Sequence, residues 1–376
     1  MRPETEDELA EIVAGARGPF AVRGGGTRGM VQGPGDVLET GGLTGISLYE
    51  PGALTLVVRA GTPLAEVETA LAAEGQRLAF EPMDHRGLME SGGTPTIGGV
   101  VAANVSGPRR IQAGACRDAL LGVRFVDGAG QVVRNGGRVM KNVTGYDLVK
   151  LLAGSRGALG VLTEVSLKVL PVPETQATLV LRGLDAGEAV AAMSTGLGSP
   201  FEVTGAAHLP AADETCLRIE GFADSVAYRL GRLAELFPGR EAQRETDPEA
   251  VAARWAGVRD VAPFHGRDGD VWRVSVRPSA APDLAQRLGA EAALMFDWGG
   301  GLIWALTPPG HDRPARGHDR HGGARHAGPR AAPETHAALG TLHPEPAAVA
   351  RLTDGLRRRF DPNGLFSGTS AAPAAA

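Results

Sequence analysis

The sequence predicts an α+β fold laid out as two units in series, and three observations carry that reading. Val161, Thr163, Val165, Leu167 and Val169 alternate with Leu162, Glu164, Ser166 and Lys168 until Pro171 and Pro173 close the run. A period of two marks a strand, here with one moderately wet face. Leu120 to Val126 and Gln131 to Arg134 flank Asp127-Gly-Ala-Gly130, a hairpin whose glycines stand where a tight turn wants positive φ. Beyond residue 172 strands and helices alternate, which favours an antiparallel sheet with helices on one face.

Thr5 and Glu8 have capping-box spacing, and Leu9, Ile12, Val13 and Ala16 follow helical spacing up to Gly18-Pro19. Phe20 to Arg23 reads as a short strand and Leu54 to Arg59 as a buried one. Thr62 is placed to cap a helix that Pro63 begins; Leu64, Val67 and Leu71 form its face and Gly75 ends it. In the second half, Thr178 to Leu181, Arg218 to Glu220, Val271 to Val276 and Gly301 to Leu306 read as strands. The Ala/Glu/Arg-rich stretches at 186–194, 224–236 and 281–292 read as helices. Residues 311–338 are foreign to their surroundings, with His311, His318, His321, His326 and His336 set among Arg, Gly, Pro and Ala. That alphabet suits an insert of low order or a locally shifted reading frame in GC-rich DNA. A His-rich metal site is the third reading, but the spacings are irregular and no carboxylate or cysteine recurs with them, so no metal is expected. A basic helix through Arg357 to Phe360 and the run Asp361-Pro-Asn-Gly-Leu-Phe366 close the chain. The expected division is 1–172, 173–310, the atypical segment 311–338, and a helix and tail over 339–376.

With 376 residues, 43% hydrophobic and 22% charged, the chain has the composition of a globular protein with room for more than one core. A net charge of −5 excludes non-specific nucleic-acid binding as a leading reading. Cys116 and Cys216 offer neither a disulfide framework nor a metal knuckle. The acidic start lacks the pattern of a signal peptide, and no apolar run approaches the ~20 residues that span a bilayer, so a cytoplasmic setting is expected.

Phe20-Ala-Val-Arg-Gly-Gly-Gly-Thr-Arg-Gly29 ends an apolar run in consecutive glycines, backbone bare enough for a sharp turn or a closely held ligand. Gly24, Gly26 and Gly29 match the GxGxxG dinucleotide pattern, but Gly33, Pro34 and Gly35 oppose the helix that a nicotinamide site needs. Successive N–H groups in such a loop can instead converge on phosphate.

Four segments in register resemble the FAD-binding domain of the vanillyl-alcohol oxidase and p-cresol methylhydroxylase (PCMH) type. They are Arg23-Gly-Gly-Gly-Thr27; Thr94-Pro-Thr-Ile-Gly-Gly99 with Ala102-Ala-Asn104 and Ser106-Gly107; Lys141-Asn-Val-Thr-Gly-Tyr-Asp-Leu148; and Gly154-Ser-Arg-Gly-Ala-Leu-Gly-Val-Leu-Thr163. The resemblance implies a PCMH-type domain of two α+β subdomains followed by a smaller antiparallel-sheet α+β cap domain. It implies that FAD is held by Arg23, Gly24, Gly25, Gly26, Thr27, Thr96, Ile97, Gly98, Gly99, Asn104, Ser106, Gly157, Gly160 and Val161. The glycine pairs Gly25-Gly26 and Gly98-Gly99 are expected to offer backbone N–H groups to the phosphates. Ile97, Val100, Ala102 and Val161 are expected either to wall the ring or to belong to the core, and Asn104 and Tyr146 are candidate polar contacts. Thr27 and Arg28 stand where some relatives carry a histidine linked to the cofactor, which implies noncovalent FAD. His85 either faces the cofactor or stands solvated.

Asn142 to Leu148 followed by Lys150-Leu-Leu-Ala-Gly-Ser155, Glu164 to Pro171, and Phe360-Asp-Pro-Asn-Gly364 resemble the smaller FAD-binding (E) subunit of bacterial glycolate oxidase. That resemblance implies a larger FAD-containing subunit and an iron–sulfur subunit as partners, oxidation of glycolate or a similar 2-hydroxy acid, and contact with the inner membrane through the partners. A stand-alone 2-hydroxy-acid dehydrogenase, such as a D-lactate dehydrogenase, and a structural subunit without turnover are the alternatives. The HxGDGNxH segment of larger relatives is absent, His265-Gly-Arg-Asp-Gly-Asp270 being only an echo, and the family's C-terminal ending is altered at Ser367. The chemistry needs a base for the hydroxyl proton and a cation for the carboxylate. Arg109, Arg110 and Lys141 are candidate cations, and no base is nominated.

Overall fold

A computed structural model describes residues 1–28, 35–138, 145–310, 324–327, 330–331 and 345–366. Helix α1 (Glu6–Ala14) starts where expected, with Thr5 Oγ1 accepting the Glu8 N–H at 3.1 Å. The Glu8 carboxylate reaches back to the N–H of Glu4, one residue before the cap. β1 (Phe20–Arg23) runs parallel to β2 (Asp36–Glu39). β3 (Ile46–Glu50), β4 (Thr55–Arg59), β6 (Leu120–Val126), β7 (Val132–Gly136) and β8 (Val161–Pro171) form an antiparallel sheet in the order β3-β4-β8-β6-β7, with β5 (Gln76–Leu78) on the far end of β8.

The central place of β8 corrects its expected wet face. Flanked by β4 and β6 and covered on both sides, it buries Leu162 and Ser166, and only Glu164 and Lys168 stay half-buried before the strand's end. Thr62 does not cap α2 (Leu64–Ala73): its hydroxyl accepts the Gly45 N–H at 2.9 Å and donates to Arg59 O at 2.7 Å, pinning the end of β4. In the β6–β7 turn only Gly130 has positive φ. Gly128 is required for another reason, because Asp361 stands against its Cα.

The second sheet is antiparallel throughout, in the order β12-β9-β11-β10-β14-β15-β13-β16. The expected strands lie in β9 (Thr175–Leu181), β11 (Glu214–Gly221), β13 (Asp270–Ser275) and β15 (Leu302–Thr307). The pattern missed β10 (Gly205–Leu209), β12 (Ala242–Glu245), β14 (Ala293–Asp297) and β16 (Ala324–Ala327). It also missed α10 (Pro248–Arg259), whose low amphipathicity leaves little period to read. Helices α8 (Ala186–Leu197), α9 (Ala223–Ala234) and α11 (Ala281–Leu288) pack on this sheet through Met193, Leu230, Leu233 and Leu284.

The two sheets share a core. Val271, Met295, Leu302, Trp304 and Leu306 pack with Phe80, Met83, Leu88 and Ile97. Charged groups fasten the same junction. Glu220 accepts from Arg109 at 2.5 Å and from Arg77 at 2.8 Å, while Arg218 forks onto Glu81 at 2.8 and 2.9 Å and lies 4.5 Å over Trp255. The last described segment returns to the first unit. Phe20 N–H donates to Leu365 O at 2.7 Å, the Asp361 carboxylate accepts the N–H groups of Leu365 and Phe366, and Gly128 N–H donates to Phe360 O at the end of α12 (Ala347–Phe360).

Burial alone would raise the Glu220 carboxyl, but Arg218, Arg109 and Arg77 outweigh it and hold it down at about 2. Its contribution is therefore complete above the ordinary value of 4.5 and is lost as pH falls from there toward 2. Glu220→Gln, which leaves the guanidinium groups uncompensated, should cost about 3–5 kcal/mol at neutral pH. Denaturant titrations from pH 7 to pH 2 should show the gap between wild type and variant closing only in that acid window.

Candidate functional site

The loop after β1 leaves a run of its backbone N–H groups without acceptors among the described residues, those of Gly24, Gly25, Gly26, Thr27 and Arg28. Gly26 has φ +68°, and the Arg23 guanidinium folds close to its Cα. The loop is braced from behind by a second bare stretch. Thr94 N–H donates to Gly25 O at 3.1 Å and the Ser91 hydroxyl to Thr27 O at 2.8 Å. A Cβ on Gly25 would overlap the Thr94 carbonyl, and one on Gly93 would overlap the Gly25 carbonyl. Two backbones so close leave no room for side chains, and an open array of N–H groups on one side is a nest for an anion.

Helix α4 (Ile97–Ala102), which follows α3 (Arg86–Met89), begins beside this loop with Thr96 at its cap. Here the expectation about phosphate donors needs correcting. Gly98 N–H donates to Ala60 O at 2.8 Å and Gly99 N–H to Thr96 Oγ1 at 3.2 Å, so neither is free. Gly98 is small because a Cβ would come within 2.6 Å of the Ala60 Cβ. Ile97 and Val100 lie in the main core and Val161 in the cluster beneath β1, so these belong to packing. Ala102 remains half-buried at the helix end. Asn104, at φ +49°, accepts the Arg117 N–H at 2.9 Å, and the Ser106 hydroxyl accepts the Cys116 N–H at 2.9 Å. Their polar atoms brace the turn into α5 (Arg110–Ala113) and α6 (Cys116–Ala119).

The segment after α7 (Leu148–Leu152) packs against the end of α4 and against β1. Gly154 N–H donates to Val101 O at 3.1 Å and Arg156 N–H to Ala102 O at 2.8 Å, and Gly157 faces Val22. Gly160 instead packs on the Phe125 ring. The structure thus gathers residues 23–28, 91–99, 102–107 and 154–157, and leaves Gly160 and Val161 in the core behind them. Met30 to Pro34, Lys141 to Thr144, the histidines at 311, 318, 321 and 336, and Ser367 lie outside the described residues, and of His326 only the backbone is described. Tyr146 is 89% exposed.

Charge marks the same place. Of the three candidate cations, Arg109 is bound to Glu220 and Lys141 lies outside the described residues, which leaves Arg110. Arg28, Arg110, Arg156 and Arg273, in contrast, form no ion pair among the described residues. Arg28 donates to Gly99 O at 2.6 Å, while its buried Nε has no partner. Burial, then the neighbouring Arg156, brings Arg28 down to about 10; burial, Arg110 and Arg156 do the same to Arg273. His85 is half-buried rather than solvated, with Nδ1 3.2 Å from Met83 O. Burial and the fields of Arg28 and Arg273 push it down to about 3, so it is neutral at working pH. Arg273 escaped the sequence reading; its one signal was a cation inside the apolar run Val271-Trp-Arg-Val274. His265 Nε2 donates to Asp260 O at 2.7 Å and the ring lies against Gly87, a packing role.

A family profile described as "FAD binding domain" matches residues 1–136. The chain is 35% identical to glycolate oxidase subunit GlcE of Escherichia coli over 353 residues, 93% of this chain and 91% of that one. It is 33% identical to glycolate oxidase subunit GlcD of Bacillus subtilis over 187 residues, 48% of this chain and 38% of that one. A D-lactate dehydrogenase of Archaeoglobus fulgidus is 31% identical over 46% of this chain and 38% of its own length. Among solved structures, alkyldihydroxyacetonephosphate synthase superposes with TM-score 0.71 over 97% of this chain and 75% of that one at 15% identity, a likeness of fold. The cofactor of such a domain is FAD, and the open N–H cradle with unpaired cations beside it fits a diphosphate. Gly25→Ala should weaken FAD retention by about tenfold or more, since it displaces donors that a buried anion needs. The ratio of flavin to protein absorbance after gel filtration checks this. Gly98→Ala should lower the melting temperature, because it crowds Ala60 rather than a ligand.

Proposed function

The chain belongs to the GlcE family of glycolate oxidase subunits, and on that premise we propose that it is the smaller flavoprotein of a complex that oxidises glycolate to glyoxylate. Its partners in this reading are a larger FAD-containing subunit and an iron–sulfur subunit. The observation that carries the reading is the row of unpartnered N–H groups from Gly24 to Arg28, in a chain that aligns with GlcE over 93% of its length.

The residues divide the work. Gly24 to Thr27 receive the diphosphate, with Gly93 and Thr94 holding the loop from behind and Thr96 fixing the start of α4. Arg28, tied to Gly99 O, and Arg156 add positive charge where the phosphates arrive. Gly98, Gly99, Asn104, Ser106 and Gly157 shape the walls, and no side chain reaches the flavin covalently. When bound, FAD would supply the acceptor for a hydride from the carbon bearing the hydroxyl. Neutral His85, enclosed near Arg28 and Arg273, keeps a ring nitrogen able to accept a hydrogen bond. Among the described residues no helix is long and apolar enough to cross a membrane; in this reading the partners supply the membrane contact and the onward path of the electrons.

The purified complex should be yellow and should lose flavin absorbance near 450 nm when glycolate is added without oxygen, an expectation from flavin chemistry at about that wavelength. Reduction of the isolated chain by glycolate would replace the subunit reading with a self-sufficient dehydrogenase. A complex whose flavin content and glycolate reduction are untouched by Gly25→Ala would remove this chain from the redox path.

A further inference from the structure

Apart from Arg28 and Arg156 beside the glycine loop, and the pair Arg110 and Arg273, the buried arginines among the described residues each have a carboxylate. Arg109 and Arg77 have Glu220, Arg218 has Glu81, Arg229 has Glu202, and Arg254 has Glu214 and Glu245. Arg110 and Arg273 depart from that rule. The Arg110 guanidinium lies 4.5 Å from the centre of the Trp298 ring, and Arg273 lies 5.1 Å from the same ring and 5.9 Å from Trp304. An aromatic face holds a guanidinium in position without neutralising it and leaves its N–H groups available. Trp298 is itself fixed, its indole N–H donating to Gly107 O at 3.0 Å across the junction of the two sheets. Asp297, whose field reaches Arg273, accepts the Trp298 N–H at 2.7 Å and is pushed up to about 7 by burial; its carboxylate is not within ion-pair distance of Arg273.

Two like charges set on one ring make a favourable place for an anion. Arg28 and Arg156 stand on the loops around the phosphate cradle, whereas Arg110 comes from α5 and Arg273 from β13 of the second sheet. We propose that Arg273 and Arg110, both held over the Trp298 indole, form a second anion pocket that binds the carboxylate of a small 2-hydroxy acid. The pocket rests on the flavoprotein reading above, and it gives this chain a substrate subsite of its own built from both units. Arg273 is the principal anchor, being stacked by two rings. Arg110 adds the second cation, and Trp298 is a positioning residue.

Oxalate, a two-carbon dianion with no hydrogen to lose as hydride, is the probe. Calorimetric titration of the FAD-loaded full chain should show saturable binding, and ethylene glycol, of similar size and uncharged, should give none. Arg273→Met should weaken oxalate by about tenfold to a hundredfold, the range for a charge-assisted contact, with FAD content unchanged. Arg273→Lys should recover part of that loss. Arg110→Met, in the other unit, should weaken it to a lesser degree and carries the test if the Arg273 variant does not fold. Absence of oxalate binding in the wild type, or unchanged affinity in both methionine variants, overturns the pocket. Joint loss of FAD and oxalate also overturns it, assigning these cations to the flavin phosphates. Arg273-dependent oxalate binding in a chain whose complex is not reduced by glycolate would keep the pocket and overturn the glycolate reading instead.

Discussion

The junction between the two sheets depends on a carboxylate, Glu220, whose side chain is 2% exposed and lies among Arg77, Arg109 and Arg218. Two of those cations come from the first unit and one from β11 beside it, so the ions bind the units to each other rather than decorate either. Ion pairs at this depth give little net stability compared with apolar packing, but they tolerate few alternative arrangements. The shared core of Phe80, Met83, Trp304 and Leu306 supplies the attraction. Glu220, Glu81 and their arginines set the registry in which that attraction operates, and through it where β13 and Trp298 stand relative to the glycine loops.

Seen this way the arginines of the interior fall into two populations with opposite tasks. Those at the junction are matched by carboxylates within 3 Å. Arg28, Arg110, Arg156 and Arg273 have no carboxylate partner among the described residues: Arg28 donates to Gly99 O and Arg110 and Arg273 lie on the Trp298 ring, which costs desolvation without an ion pair in return. The fold keeps that imbalance local: it surrounds one place, flanked by the N–H cradle, His85 and Trp298. A binding site is where such a concentration of unsatisfied groups is expected, because the ligand completes the pairing that the chain leaves open.

The parts of this design that follow a local rule were legible in the sequence. The glycine loop, the β6–β7 hairpin, α1 with its Thr5 cap and the core strands of the second unit each announce themselves within ten residues or so by period, turn residues or caps. The parts that depend on distant partners were not. Arg218 and Glu220 read as the polar positions of an ordinary strand, and nothing near them says that Arg109 waits across the junction. Gly98 and Gly99 resemble phosphate ligands in pattern, yet Ala60 and Thr96 have already claimed their N–H groups. Thr62 has the type and place of a helix cap, and the nearby Gly45 draws its hydroxyl away. In each case a tertiary partner overrode a sound local expectation.

The return of Asp361 to Phe366 onto β1 has a consequence for the order in which the molecule can be made. β1 carries the cradle at its end, and its opening residue, Phe20, takes its backbone partner from Leu365, some 345 positions later. During synthesis the second sheet emerges and can form in full while the strand under the cradle still lacks that neighbour. The anion site should therefore be among the last features to settle on the ribosome, and a nascent chain halted before Phe360 would present the glycine loop without the floor on which it rests.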